Sequence, residues 1–182
     1  MEHAPFAARL TRLPIAFDPE AGAEVRAAFA DLGPGLRDLL AGTAGCSPYL
    51  RGLMAREAVW LREALAQAPE AALAAVLEPL ADLSPVDPSP EALGVALRIA
   101  KRRVALLTGL ADLGGVWPLE AVTGALTALA DRAVDLSMRC LVAEEIRRGK
   151  LPGATPDDAE TAAGMVALAM GKMGAGELNY SS

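Results

Sequence analysis

The chain has 182 residues, a formal net charge of −6, one histidine, two cysteines and 53% hydrophobic residues. That length suits one domain, or one domain with part of another. The lone His3, at a chain end, excludes a His-rich metal site. Cys46 and Cys140 form no C-x-x-C pair, so they suggest neither a zinc site nor a disulfide framework and fit a reducing, cytosolic compartment. Mean hydropathy is +0.30, yet no run approaches the roughly 18 apolar residues of a membrane span. The N-terminus is no secretory signal, and the acidic balance argues against a general nucleic-acid binder.

Ala, Leu, Glu and Arg dominate, so the default is an all-helical body. The helix starts are legible. Asp18-Pro19, Ser47-Pro48, Ser89-Pro90 and Thr155-Pro156 each place a capping side chain before a proline at the first helical position. The pattern predicts helices over about 19–31, 35–42, 48–67, 70–82, 90–112, 118–148 and 156–163, punctuated by Pro34, Pro69, Gly114-Gly115 and Gly149. These group into an N-terminal helical region (1–83), a Pro-rich linker (84–90), a long antiparallel helix pair (91–154) and a last segment (155–182). In the linker, Pro85, Pro88 and Pro90 forbid helix.

The helix from 118 carries the strongest period. Leu119, Val122, Leu126, Leu129, Ala133, Leu136, Cys140 and Ala143 form a 3-4 stripe. Its expected partner is the preceding helix, through Leu93, Leu97, Ala100, Val104, Leu107 and Ala111, with Leu126 and Leu136 buried between the two. Arg98, Lys101 and Arg102 share one face beside Arg103. A solvated face is the expected reading of that cluster; contact with nucleotide phosphates or an acidic partner is the alternative. Trp60 and Trp117 read as packing anchors, and Cys140 as core.

The texture changes at Met165-Val166-Ala167-Leu168-Ala169-Met170, which reads as a buried strand between Gly164 and Gly171, with a helix end as the alternative at this length. A glycine-rich segment follows, from Gly171 to Ser182. It fails the Walker A template, because Met173 follows Gly171-Lys172 and the upstream Gly164 is misplaced. It fails G-x-G-x-x-G, because Gly171, Gly174 and Gly176 have the reverse spacing. A third template remains, a strand leading into a glycine turn ahead of a carboxylate pair that holds Mg²⁺. Gly171, Gly174 and Gly176 allow close backbone approach to a phosphate, Lys172 offers a cation, and Ser181 and Ser182 offer hydroxyls.

The tail, Gly171-Lys172-Met173-Gly174-Ala175-Gly176-Glu177-Leu178-Asn179-Tyr180-Ser181-Ser182, resembles the G-K-[LM]-G-x-x-E-L-N-[YF]-[SG]-S motif of the glutamine synthetase adenylyltransferase family. Ser47-Pro48-Tyr49-Leu50 looks like that family's S-P-[YF]-L element. The stretch from Leu97 to Leu107 resembles its basic helix. Ala111-Asp112-Leu113-Gly114-Gly115 followed by Glu120-Ala121-Val122-Thr123 resembles its D-L-x-G…L-E-x-V-T step.

The resemblance implies a helical bundle followed by the first strand and Gly-rich turn of a nucleotidyltransferase (polymerase-β-like) domain. It implies a bifunctional parent enzyme that attaches AMP to glutamine synthetase from ATP and removes it by phosphorolysis. Mg²⁺ and ATP or ADP would be the parent's cofactors, glutamine synthetase its partner, and the PII signalling protein a regulator. The family motif continues into a D-x-D metal pair that the 182 residues do not include. The expectation is therefore a fragment with phosphate-binding residues Gly171, Lys172, Gly174, Gly176, Ser181 and Ser182. It would have no catalytic or metal residue of its own, no tightly bound cofactor and no activity alone. Glu177 and Asn179 would shape the turn by local hydrogen bonds, and residues 171–182 would be poorly held. The competing class is a non-catalytic helical interaction module.

Overall fold

The computed structural model describes residues 4–84 and 89–180; among these it holds helices and turns and no strand, so the mainly α expectation is met. After a 3-10 turn at Phe6–Arg9 come α1 (Pro19–Ala28), α2 (Pro34–Cys46), α3 (Pro48–Arg56), α4 (Ala58–Leu65), α5 (Pro69–Ala81), α6 (Pro90–Leu113) and α7 (Leu119–Arg147). A 3-10 helix (Pro156–Gly164) and the single turn α8 (Gly171–Gly174) close the order. The centre of the expected linker, residues 85–88, lies outside the described residues.

The caps act as their sequence suggests. Asp18 accepts from the Ala21 N–H at 3.0 Å, Ser47 from Leu50 at 3.2 Å and Ser89 from Ala92 at 3.2 Å, each satisfying a donor that the first helical turn leaves unpaired. At the fourth start a capping box forms: the Thr155 side chain accepts from the Asp158 backbone N–H, and the Asp158 carboxylate accepts from the Thr155 backbone N–H at 2.7 Å and its hydroxyl at 2.8 Å. The segment behind it is 3-10 rather than α.

Two further departures have local causes. The single helix expected over 48–67 breaks at Glu57, whose backbone (φ −109°, ψ 25°) separates α3 from α4. Glu57 is 7% exposed and its carboxylate lies against α6, accepting from Arg102 Nε at 2.8 Å and Arg103 Nε at 3.0 Å. Arg102 and Arg103 are thus not part of a solvated face, while Arg98 and Lys101 are exposed. Helix α2 runs to Cys46 instead of ending near 42, because its glycines serve as a bed for the N-terminal strap. A Cβ on Gly42 would stand 1.9 Å from the Pro14 carbonyl oxygen, and one on Gly45 2.5 Å from Ala16 Cβ. A helix interior pays roughly 1 kcal/mol per glycine, which the strap's packing offsets here.

The core sits around α6, which packs against α2, α3, α5 and α7. Leu106, Leu107, Thr108, Gly109, Leu110 and Ala111 are all buried, so this end of α6 is covered on every side. Its one polar side chain is satisfied, Thr108 donating to the Val104 carbonyl at 2.7 Å. One apolar cluster gathers Phe6, Phe29, Leu39, Leu40, Met54, Leu61 and Leu65 around this end of α6, and Trp117 and Val122 complete it. A second joins Val76, Leu80, Leu93, Ala100 and Val104 to Leu129, Leu136 and Cys140. The helix groups before and after the linker therefore share their cores. Leu93, early in α6, and Cys140, late in α7, share this cluster, as an antiparallel pair requires. Along the predicted stripe Leu136 is 2% exposed and Leu126 is half-buried, whereas Leu119 faces solvent.

The N-terminal strap is tied down at both ends. The Phe6 N–H donates to the Gln67 carbonyl, and Arg9 makes a two-pronged contact with Glu70 at 2.7 and 2.8 Å. Trp117 donates its indole N–H to the same carboxylate at 2.6 Å, so this packing anchor also closes a polar network. Thr11 and Arg12 both donate backbone N–H groups to the Gly114 carbonyl in the α6–α7 turn.

Candidate functional site

The chain reverses after α7 and returns along it. The 3-10 helix packs back on α7, where Ala159 and Ala162 are buried and Arg139 bridges to Glu160 at 3.3 Å. Residues 165–170 then form neither helix nor ladder, with extended backbone at Met165 and Met170. The buried strand expected here is not found: Val166 is 87% and Leu168 85% exposed. Backbone groups in a strand need partners, and no described residue offers a sheet edge.

The glycine-rich residues that sequence singled out do come together in one surface turn. Gly171 (φ +59°) opens α8 and Gly176 (φ +74°) lies just past its C-cap Ala175, both in the left-handed region that favours glycine. Between them, a Cβ on Gly174 would stand 2.6 Å from the Ala169 carbonyl oxygen. Backbone bonds hold the turn: Ala175 N–H donates to Gly171 at 3.0 Å, Gly176 to Met173 at 3.1 Å and Glu177 to Lys172 at 2.8 Å. Glu177 thus shapes the turn through its backbone N–H. The side chain of Lys172 is exposed. Ser181 and Ser182 lie outside the described residues. Among the described residues no three His, Cys, Asp or Glu side chains gather where they could hold a metal ion. Residues 171–180 carry one carboxylate, the exposed Glu177, short of the hard oxygen ligands that Mg²⁺ takes.

Where a poorly held tail was expected, the segment after the turn is anchored at two points, Leu178 and Tyr180. Leu178 donates its backbone N–H to Thr127 Oγ1 on α7 at 3.3 Å, and Tyr180 donates its O–H to Asp112 Oδ2 at the end of α6 at 3.3 Å. Partial burial pushes the Tyr180 phenol well above the usual tyrosine range, and the Asp112 charge and its acceptance of the O–H add to this, against a smaller opposing effect of the Thr108 hydroxyl. Asp112 also faces Arg12, which donates to its backbone carbonyl at 2.5 Å. Sequence reasoning placed Asp112 inside a motif and gave Thr127 no role; nothing in their spacing from Tyr180 could have paired them.

Beside this return path, Val134, Met138, Leu141, Val142, Leu151 and Met165 line an apolar groove of about 660 Å³. Among the described residues no helix is long and apolar enough to cross a membrane.

Residues 38–182 match the glutamate-ammonia ligase adenylyltransferase family. Among curated proteins, the chain is 42% identical over 160 residues to the bifunctional glutamine synthetase adenylyltransferase/adenylyl-removing enzyme of Rhodopseudomonas palustris (strain ATCC BAA-98 / CGA009), covering 88% of the chain and 16% of that protein. It is 42% identical over 170 residues to the protein of the same name from Bradyrhizobium sp. (strain BTAi1 / ATCC BAA-1182), with 91% and 16% covered. Against the protein of that name from Caulobacter vibrioides, identity is 40% over 163 residues, with 90% and 16% covered. The chain thus spans about a sixth of the length of these relatives. No solved structure matches it. With most of its length matched in one family, including the helical hairpin and the glycine-rich turn, the chain belongs to the glutamate-ammonia ligase adenylyltransferase family.

Proposed function

We propose that this chain is the N-terminal, adenylyl-removing part of an enzyme that adds AMP to glutamine synthetase from ATP and removes it by phosphorolysis. The observation that carries the reading is the family match through the glycine-rich tail, together with the names of the relatives. In this reading Gly171, Lys172, Gly174 and Gly176 face a phosphate, with Ser181 and Ser182 beside them. Residues 165–170 pair as a strand once the rest of the nucleotidyltransferase sheet is present. Their exposure and extended ends support that role, since an apolar run left in water is a surface waiting to be covered. ATP or ADP and Mg²⁺ are the proposed cofactors of the whole enzyme. Glutamine synthetase and the PII protein are its proposed partners, and the cytoplasm its proposed location.

What these residues can do is limited and specific. The turn offers backbone close to a phosphate with no Cβ in the way, and Lys172 supplies one mobile positive charge. A charge-assisted hydrogen bond of this kind contributes about 1.5–3 kcal/mol. The test is phosphorolysis of adenylylated glutamine synthetase by the polypeptide extended as in its relatives, with and without Lys172→Ala. ADP release falling roughly ten- to hundredfold in the variant is expected, from the same energy. An unchanged rate would remove Lys172 from the site. Binding of glutamine synthetase with no ADP release from either protein would favour the interaction-module reading.

A further inference from the structure

We propose that Asp112 and Thr127 are positioning residues: the α6–α7 hairpin captures the segment that follows the glycine-rich turn and so fixes where Lys172 is presented. The phosphate role of Lys172 rests on the reading above; the capture itself does not.

Backbone bonds hold the shape of the turn from within, while Met173 is half-buried and Lys172 exposed. Its placement relative to the bundle therefore depends on what holds its flanks. Upstream lies an exposed stretch, residues 165–170. Downstream, two side chains on different helices reach the same three-residue piece. Thr127 is 7% exposed and donates its own hydroxyl proton to the Thr123 carbonyl at 2.9 Å. That bond turns the oxygen's lone pairs outward, where one accepts the Leu178 N–H at 3.3 Å. Asp112 accepts the Tyr180 O–H at 3.3 Å from the end of α6. Two anchors two residues apart fix direction as well as position, which a single contact cannot do. Asp112 is held in turn, since Arg12 from the N-terminal strap lies against it and bonds its carbonyl. Among the described residues, the charged groups facing Tyr180 are Asp112 and, behind it, Arg12, and the Thr108 hydroxyl is a further polar neighbour.

The experiment uses the full chain with Tyr49→Phe, which leaves Tyr180 as the one tyrosine. Three readouts are followed in Asp112→Ala, Asp112→Asn and Thr127→Val: phenolate absorbance against pH, amide exchange of Leu178, and the Lys172 amide chemical shift. Titration of Tyr180 above the ordinary tyrosine value of about 10 is expected in the parent chain. Asp112→Ala should return it toward that value, speed Leu178 exchange severalfold and move the Lys172 resonance. Asp112→Asn, which keeps an acceptor, should restore the exchange protection. Thr127→Val should free Leu178 while leaving the helix melting temperature nearly unchanged. Equal Tyr180 titration in the parent and Asp112→Ala chains, or a Lys172 resonance unmoved by either loss, would overturn the proposal. ADP is added in a last arm. If it perturbs Lys172 in no chain while the anchors behave as stated, the phosphate reading falls and the capture stands.

Discussion

Replacing Glu57 by Gln tests whether the helix break is held by charge. Glu57 lies at the α3–α4 break with its side chain 6% exposed, between Arg102 and Arg103, whose side chains are 28% and 35% exposed. Breaking a buried ion pair costs about 3–5 kcal/mol, and an exposed pair about 0–1. Here the carboxylate is buried but both guanidinium groups reach water, and Gln keeps one acceptor. The expected loss is therefore about 2 kcal/mol. For a chain of this size that lowers the melting temperature by roughly 4–8 °C. The pH dependence has a definite sign. Burial by itself would raise the Glu57 pKa, but the hydrogen bonds from Arg102 and Arg103 outweigh it and the net shift is downward. A depressed folded pKa gives stability that is complete above the unfolded value, about 4.3, and is lost as pH falls through the lower folded value. Denaturant midpoints of the wild-type chain and Glu57→Gln should thus differ at pH 7 and converge in acid. A variant as stable as the wild type at pH 7, or a gap that persists unchanged in strong acid, would refute the reasoning.

Two other outcomes follow from burial and close approach. Leu136→Ala should cost about 2–5 kcal/mol in denaturant unfolding, because Leu136 is 2% exposed and fills the second cluster; Leu119→Ala, on the same predicted stripe but exposed, should cost within about 0.5. Gly42→Ala has no room for its Cβ under Pro14. It should lift the strap and make the bonds on either side of Pro14 sensitive to limited proteolysis while leaving α6 and α7 helical by circular dichroism.

How much of this was legible in the sequence depends on whether the signal was local. The starts at Pro19, Pro48 and Pro90 could be read because a cap and a proline act within one turn. The α6–α7 pair could be read because a 3-4 stripe on a long helix must be covered. Glu57 could not: its neighbours in sequence continue a helical pattern, and its partners are 45 and 46 residues away. Gly42 and Gly45 look like weak points until the strap that occupies them is seen. The run 165–170 shows the opposite error. Apolar content suggests burial, but burial depends on neighbours, and here the described chain leaves Val166, Leu168 and Met170 in solvent. The glycine turn was found from its resemblance to a family, whereas its anchors, Asp112 and Thr127, are visible only once the tail has folded back.

That fold-back is finely balanced, and the balance can be worked out. Ala162 is buried, and Leu178 is the next anchored residue described, so roughly 15 residues must be closed into a loop. Closure of that length costs about 2–3 kcal/mol in chain entropy. Against it stand two hydrogen bonds, both at 3.3 Å, each contributing about 0.5–1.5 kcal/mol, and the partial burial of the Tyr180 ring. The sums nearly cancel, so the held tail is sensitive to the loss of either bond. Removal of one bond then acts on the population directly. Tyr180→Phe keeps the ring and deletes about 1 kcal/mol of hydrogen bonding, a shift of about fivefold toward the released state. Amide exchange at Leu178 should quicken by that factor while exchange in the centre of α6, at Leu107, is unaltered. Were Leu178 to stay as protected in Tyr180→Phe as in the wild-type chain, the tail would be held by more than these two bonds. Were Leu107 to quicken equally, the tail would be a structural part of the bundle instead of a segment poised on its surface.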